Sequence, residues 1–377
     1  MEKIQRENWV NRFELVGKPK INEYTFKVDE KSEKSAWVYN AMSLYVDCGE
    51  KHGDILCEMM GGYSSEGNSF IYARGKEKDE NDKPVKIDVA WNDRLNNGIL
   101  DTIADSCFFT VGIEKDEEGK TFYKKFLSEF DAIAYIKEHL DENMVLRVKG
   151  DLNYSLYNEN VTVKKKVRSI VLSKIESPSD FKAEFTQSVL INKGSVNAKD
   201  VDKATGILPV YGTVLDYVKE INGTEIKGFY PMQKVFDYQL DLENEKQCSI
   251  AFNKIFKARK GYTQVNFTGH LIENGTVTIT YDDLPDEIKE LVDGGIYPLE
   301  EALSKCTANK SKDKRMLLLK PEIKMEGNDD NKIPKIQKFE EVYTEDELTI
   351  VLPDNSSDED VESEATTSDM DWLNNLS

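Results

Sequence analysis

A period of two dominates this chain. The segments "YTFKVDE", "WVYNAMSLYVDCG", "DILCEMMGG", "FIYARGK", "KIDVAWND", "CFFTVGIE", "TFYKKFL", "MVLRVKGDL" and "VRSIVLSKI" are rich in β-branched and aromatic residues and predict strands. Ser177, Pro178 and Ser179 then mark a boundary. A second strand-rich block follows: "EFTQSVLI", "ILPVYGTVLDYVKEI", "KGFYPMQKVFDYQL", "KQCSIAFNKIF", "TQVNFTGHLI", "GTVTITY" and "RMLLLKPEIKM". Gly119 in "EKDEEGKTF" supplies the positive φ of a hairpin turn. Three helices interrupt the pattern. "SEFDAIAYIKEHL" has Ser128 and Asp131 as a capping pair and an apolar stripe of Phe130, Ile133, Ile136 and Leu140. "LPDEIKELVDGG" and "YPLEEALSKC" each carry Pro in the first turn. The chain is therefore mainly β with short helices.

The two blocks share a local design. "VKGDLNYSLYNENVTVK" aligns with "FTGHLIENGTVTIT", so that Gly150 answers Gly269 and Leu152 answers Leu271. A glycine inside a strand permits the sharp coiling that a small barrel needs. The expectation is two tandem small β-barrels, over residues 1–176 and 180–352, and a disordered tail over 354–377. The paired glycines in "MMGGYSSEGNSF" fit a wide turn, or a backbone that approaches a ligand.

Charge is unevenly placed. The net charge is −20, but residues 340–377 hold thirteen Asp or Glu and no Lys or Arg, which leaves −7 for residues 1–339. Any polyanion site must then be a local groove within a mildly acidic body. Cys48, Cys57, Cys107, Cys248 and Cys306 lack C-x-x-C spacing, and His52, His139 and His270 lie far apart. That pattern argues for reduced thiols and against a zinc site or a cofactor. The N-terminus lacks a signal-peptide core, so the chain reads as cytoplasmic. G-x-S-x-G, P-loop, H-E-x-x-H and EF-hand patterns are all missing, which disfavours catalysis. Asp88, Asp93, Asp101 and Asp105 are the one grouping that suggests a metal nuclease.

Single-stranded nucleic acid needs cations along a groove and flat faces on which bases stack. Two segments interleave them. One carries Tyr154 and Tyr157 before Lys164, Lys165, Lys166 and Arg168, with Lys164 and Lys166 on one strand face. The other carries Lys254, Phe256, Lys257, Arg259, Lys260 and Tyr262, with Lys254 and Phe256 sharing a face. Both are expected in barrel hairpins. A third, "FYKKFL", turns Tyr123 and Lys125 outward and Phe122 and Phe126 inward. "SKCTANKSKDKR" is a basic loop without aromatics. A solvated hairpin with half-buried tyrosines is the plain alternative for each. A structural or assembly factor built on barrel modules is the rival function. Residue type alone does not separate DNA from RNA, because the 2′-hydroxyl is read by geometry.

"VNRFELVGK", "YTFKVDEKSEKSAWVYNAMSLYVDCGE", "EMMGGY" and "TFYKKFLSEFDAIAYIKEHL" resemble the single-stranded DNA-binding proteins of phages and prophages of low-GC Gram-positive bacteria. The resemblance implies an OB-type barrel, a role in DNA replication or recombination, and no catalysis. The tail is similar to the acidic tails by which bacterial single-stranded DNA-binding proteins recruit replication and repair enzymes. Asp369, Met370, Asp371, Trp372 and Leu373 match that logic, with Trp372 as the partner anchor. The usual Pro-Phe end is missing, and Asn374 to Ser377 follow Leu373.

Overall fold

Each of the two runs of strands closes on itself. The computed structural model describes residues 4–6, 8–157, 160–221, 224–274, 281, 284, 286–299, 302, 313–327 and 332–349. The first run is β1 (Asn11–Lys20), β2 (Phe26–Lys31), β3 (Trp37–Asp47), β4 (Asp54–Ser64), β5 (Phe70–Lys78), β6 (Pro84–Ala90), β7 (Phe109–Lys115), β8 (Thr121–Phe126), β9 (Leu146–Tyr157) and β10 (Asn160–Leu172). Its helices are α1 (Asn97–Leu100) and α2 (Glu129–His139). β1 pairs with β3 and β9, β3 with β4, β9 with β10, and β10 runs parallel to β4. This closed ring, with α2 before its fourth strand, is an OB barrel.

The second run is β11 (Lys182–Ile191), β12 (Ile207–Ile221), β13 (Thr224–Gln239), β14 (Tyr262–Asn274), β15 (Asp313–Pro321), β16 (Ile323–Glu326), β17 (Ile333–Ile336) and β18 (Lys338–Tyr343). Its helices are α3 (Glu245–Ile250), α4 (Asp286–Asp293) and α5 (Glu345–Leu348). β11 pairs with β12 and β14, β12 with β13, β14 with β15, and β15 runs parallel to β13. The protein is thus two tandem OB-type barrels.

The barrels meet through equivalent strands. β1 and β11 lie antiparallel with Phe13 opposite Phe185. Phe13 also faces Gly150, and Phe185 faces Gly269. A local two-fold axis through the phenylalanine pair therefore exchanges the barrels, and it exchanges the two glycines. Neither glycine has room for a Cβ. At Gly150 it would lie 1.9 Å from the Lys166 carbonyl oxygen and 2.8 Å from Phe13 Cε1. At Gly269 it would lie 2.4 Å from both the Leu317 carbonyl oxygen and Phe185 Cζ. The bulge beside each glycine is duplicated too: the ladder skips Arg168 on β10 and Leu319 on β15.

β9 and β14 run on past their own barrels to the opposite one. Tyr154 N–H donates to Asp216 of β12, and Glu273 N–H donates to the His52 carbonyl in the β3–β4 turn. A shared apolar core results, from Phe13, Leu44 and Ile136 to Phe185, Phe236 and Phe267.

Outside the first ring, β5 and β6 form a separate ribbon, with Ala73 and Val89 packed on Ile103 and Leu127. Gly119 has φ +79°, as the hairpin turn requires. Ser128 caps α2 by accepting from Phe130 N–H, but Asp131 does not complete the pair, because Arg94 holds its carboxylate at 2.8 Å.

Gly61 and Gly62 form neither a turn nor a ligand approach. They lie inside β4, where Cβ atoms would strike Glu129 of α2 and the backbone of β3 at Val38. "KQCSIAFNKIF" is not a strand. Asn244 accepts from Gln247 N–H and starts α3, which passes into a π turn over Ala251–Ile255. Most of "GTVTITY", most of "YPLEEALSKC" and most of "SKCTANKSKDKR" lie outside the described residues, as does the tail.

Candidate nucleic-acid interface

Strand register assembles one mixed surface on the first barrel. Along β3, Met42, Leu44 and Val46 enter the core, so Trp37, Tyr39 and Tyr45 are left half-buried on the outer face. On β4, Leu56 lies opposite Tyr45, Glu58 opposite Ser43 and Met60 opposite Ala41. The parallel neighbour β10 then sets Lys166 beside Glu58. Lys165 and Val167 point inward, so Lys164, Lys166 and Arg168 share the outward side. Across β4, Lys166 is thus level with Ser43, and Tyr45, Tyr39 and Trp37 lie two, four and six residues along β3 from that level.

The cations also feel the start of α2. Burial pushes the Glu129 carboxyl up, while Arg168 and Lys166 pull it down. Arg168 pairs with Asp151 at 3.0 Å and lies 5.2 Å from the centre of the Phe109 ring. Carboxylates flank the strip of cations on both sides, with Glu58 of β4 and Asp151 of β9 each in register with Lys166.

Several sequence expectations change. Tyr154 is buried between the barrels, and its hydroxyl donates to Gln187 at 3.1 Å, with its pKa pushed up by burial. It cannot present a stacking face. Lys165 is buried too and pairs with Glu273 at 2.5 Å. The alternation that turns Lys164 and Lys166 outward turns Lys165 inward. The side chain of Tyr157 lies outside the described residues.

In the second segment, Phe256 is buried, stacked on Phe267 with ring centres 5.6 Å apart. Its π turn, not a hairpin, sets that direction, and it places Phe256 and Lys254 on different sides. Tyr262 packs half-buried near Val342 and Tyr343. Lys254, Lys257, Arg259 and Lys260 remain exposed, and the Lys338 ammonium caps the turn by donating to the Lys254 and Lys257 carbonyls. This is a basic surface whose predicted aromatics are withdrawn.

In the third segment, Tyr123 is 58% exposed and lies against Gly112, where a Cβ would be 2.8 Å from its ring. Lys125 points out and pairs with Asp105 at 3.0 Å. Phe122, expected inward, is 48% exposed, because the ladder shift after Val111 sets it opposite Glu114. The tail residues Asp369, Met370, Asp371, Trp372 and Leu373 lie outside the described residues.

The residues missed were Trp37, Tyr39 and Tyr45. Their signal was present, since "WVYNAMSLYVD" alternates and its odd positions hold the aromatics. No lysine stands next to them in sequence, so their place beside cations is not visible there.

The second barrel does not repeat the surface. Register carries Tyr45 onto Tyr211, Leu56 onto Val235 and Glu58 onto Asp237. It carries Lys166 onto Leu317, and the duplicated glycines give the same match. Lys164 and Arg168 then correspond to Arg315 and Leu319. Arg315 lies 4.0 Å from Asp237. The equivalent face is tyrosine, valine and leucine with a single paired cation.

Among the described residues, no group of three or more His, Cys, Asp or Glu is placed to hold a metal ion. Among them, too, no helix is long and apolar enough to cross a membrane. Cys48 and Cys57 are buried thiols, and burial pushes Cys57 up to about 12.

No curated protein matches the chain. Among solved structures, a deletion variant of the single-stranded DNA-binding protein from Thermus aquaticus is similar at 9% identity and a TM-score of 0.29, covering 71% of this chain and 88% of that one. At that distance the likeness decides neither fold nor function. The model of one family, YorF, matches residues 85–290, more than half of the chain, and the protein belongs to the YorF family.

Proposed function

We propose that the first barrel binds single-stranded DNA with little sequence preference. One observation carries this reading: Trp37, Tyr39 and Tyr45 share an outer barrel face with Lys164, Lys166 and Arg168. In OB barrels the second and third ring strands commonly hold oligonucleotides, and those strands here are β3 and β4. Stacking on an aromatic face is worth ~1–3 kcal/mol per base and is nearly blind to sequence. The cations add phosphate contacts whose strength falls with salt. No step of bond making is assigned to the protein. In this reading it coats and protects single strands during phage DNA replication or recombination, in the host cytoplasm. Its acidic tail recruits partner enzymes through Asp369, Met370, Asp371, Trp372 and Leu373. The second barrel, with leucines in place of Lys166 and Arg168, is given no stacking role.

The test is a titration of single-stranded DNA, duplex DNA and RNA at two salt concentrations, read by tryptophan fluorescence. Single-stranded DNA should bind best and quench the emission, and Trp37→Phe should remove most of the quench. Lys164→Ala, Lys166→Ala and Arg168→Ala together should make the salt slope shallower by about 2, at roughly 0.7 per phosphate contact. Equal binding of the triple variant and the parent would defeat the proposal.

A further inference from the structure

The β5–β6 ribbon carries the same chemistry as the barrel face, on a part of the chain outside the ring. Its inner face, with Ala73 and Val89, is committed to packing. Its outer face is not. Phe70 is 47% exposed and Tyr72 is 81% exposed, and Arg74 and Lys86 are exposed beside them. A tyrosine ring that far out adds nothing to a core, and it is larger than solubility needs.

Register sharpens the point. Tyr72 lies opposite Asp88, and Arg74 lies directly opposite Lys86. Like charges facing each other across an antiparallel pair repel. Asp88 on the same face offsets that only diagonally. An anion between the two cations would turn the repulsion into attraction.

The ribbon is also placed and held. Its base returns to the Trp37 end of the barrel face: Ser65 donates to the Ala36 carbonyl, and Trp37 lies opposite Ser64. Trp91, just after β6, stacks on Tyr63 of β4 with ring centres 4.7 Å apart. Arg94 lies 4.2 Å above Trp91 and is itself held by Asp131 of α2. This stack ties the ribbon to β4 and α2, so the arm leaves the barrel in a set direction.

We propose that the β5–β6 ribbon is a second contact for single-stranded nucleic acid, taking the strand beyond the Trp37 end of the barrel. Phe70 and Tyr72 stack bases, and Arg74 and Lys86 hold the phosphate between them. The inference rests on the reading of the barrel as a single-strand binder, and it makes the length of the bound strand the quantity to measure.

The full-length protein is titrated with oligothymidylates of about 8 and about 30 nucleotides, one within and one well beyond the usual site of one OB barrel. One variant is Phe70→Ala with Tyr72→Ala, and another is Arg74→Ala with Lys86→Ala. A third is the barrel-face triple at Lys164, Lys166 and Arg168. Each ribbon variant should lose about tenfold or more on the long strand and little on the short one. The Arg74→Ala, Lys86→Ala variant should also show a salt slope shallower by about 0.7, the share of the one phosphate they hold. Circular dichroism melts matching the parent establish that the ribbon variants are folded. Unchanged long-strand affinity in both ribbon variants, with binding lost in the barrel triple, overturns the ribbon contact alone; a protein-docking ribbon gives this result. Unchanged affinity in all three overturns the barrel reading and the ribbon with it. Loss in the ribbon variants alone, on both lengths, makes the ribbon the primary site and overturns its role as an extension.

Discussion

The buried pair between Lys165 and Glu273 offers the sharpest test of the two-fold relation between the barrels. Both side chains are nearly closed to solvent, at 7% and 5% exposure, with Nζ to Oε1 at 2.5 Å. Glu273 lies four residues after Gly269, as Tyr154 lies four after Gly150. Lys165 likewise corresponds to Met316. The axis that exchanges the barrels therefore exchanges the lysine–glutamate contact with the contact of Tyr154 and Met316, in which the hydroxyl lies 3.9 Å from the sulfur. One junction is ionic and its mate is almost apolar. Removing one partner of a buried ion pair strands the other charge and costs roughly 3–5 kcal/mol, whereas replacing both by apolar residues is often neutral. Lys165→Met leaves Glu273 with a single 3.4 Å contact from Leu56 N–H. It should lose ~3–5 kcal/mol in urea denaturation at neutral pH. Glu273→Leu should lose a similar amount. The double variant should return to within ~1 kcal/mol of the parent, because the mate already shows that an apolar contact fits this geometry. Single variants that each lose less than about 1 kcal/mol, or a double that loses their sum, would refute the equivalence.

Other outcomes follow from the same geometry. Gly150→Ala and Gly269→Ala each force a Cβ against a backbone oxygen, at 1.9 and 2.4 Å, and should cost on the order of 3 kcal/mol in denaturant; equal stability in either would contradict the close packing of Phe13 and Phe185. His52 and His270 meet edge-on at the junction with ring centres 4.9 Å apart, and burial pushes both pKa values down, His270 to about 4. Because the unfolded histidines titrate near 6.5, this stability is full above that pH and is lost as pH falls toward 4. Urea midpoints at pH 7.5, 6 and 5 should trace the loss, and a His52→Gln, His270→Gln variant should flatten it. Alanine at Lys254, Lys257, Arg259 and Lys260 should lower the salt slope of DNA binding without altering the tryptophan quench. Trp372→Ala should leave DNA affinity intact and abolish capture of a tail partner. Removal of residues 354–377 should tighten DNA binding at low salt, and no change there would separate the tail from the binding face.

The sequence made the strands legible because their period matches the pleat, and it exposed the duplication through Gly150 and Gly269, where the backbone tolerates no side chain. It misled wherever a residue's direction is set by a distant partner. Tyr154 is directed by Gln187 and the second barrel, Lys165 by Glu273, and Phe256 by Phe267. Nothing local in "LNYSLYNEN" or "FNKIFKARKGY" encodes those contacts. The opposite error occurred at Trp37, Tyr39 and Tyr45. They come onto one sheet face with Lys166 only after β4 is laid between β3 and β10, and that parallel pairing joins segments about a hundred residues apart.

The duplicated frame also accounts for why the proposed barrel face is built on one barrel and not on the other. Both barrels keep the glycine, the bulge beside it and the parallel third-to-fifth strand pairing, because each of these is dictated by closure of a small ring. The residues on the outer side of the fifth strand are not dictated by closure. There the first barrel has Lys164, Lys166 and Arg168, and the second has Arg315, Leu317 and Leu319. Lys165 and Glu273, which are dictated by the junction, differ from their mates in a complementary way. A barrel of the first type paired with its own copy would set Lys165 against Tyr154, and one of the second type would set Glu273 against Met316. Each would bury a lone charge. The junction thus favours one unlike pair, and it is within such a pair that one barrel can keep the cations of its face while its partner gives them up.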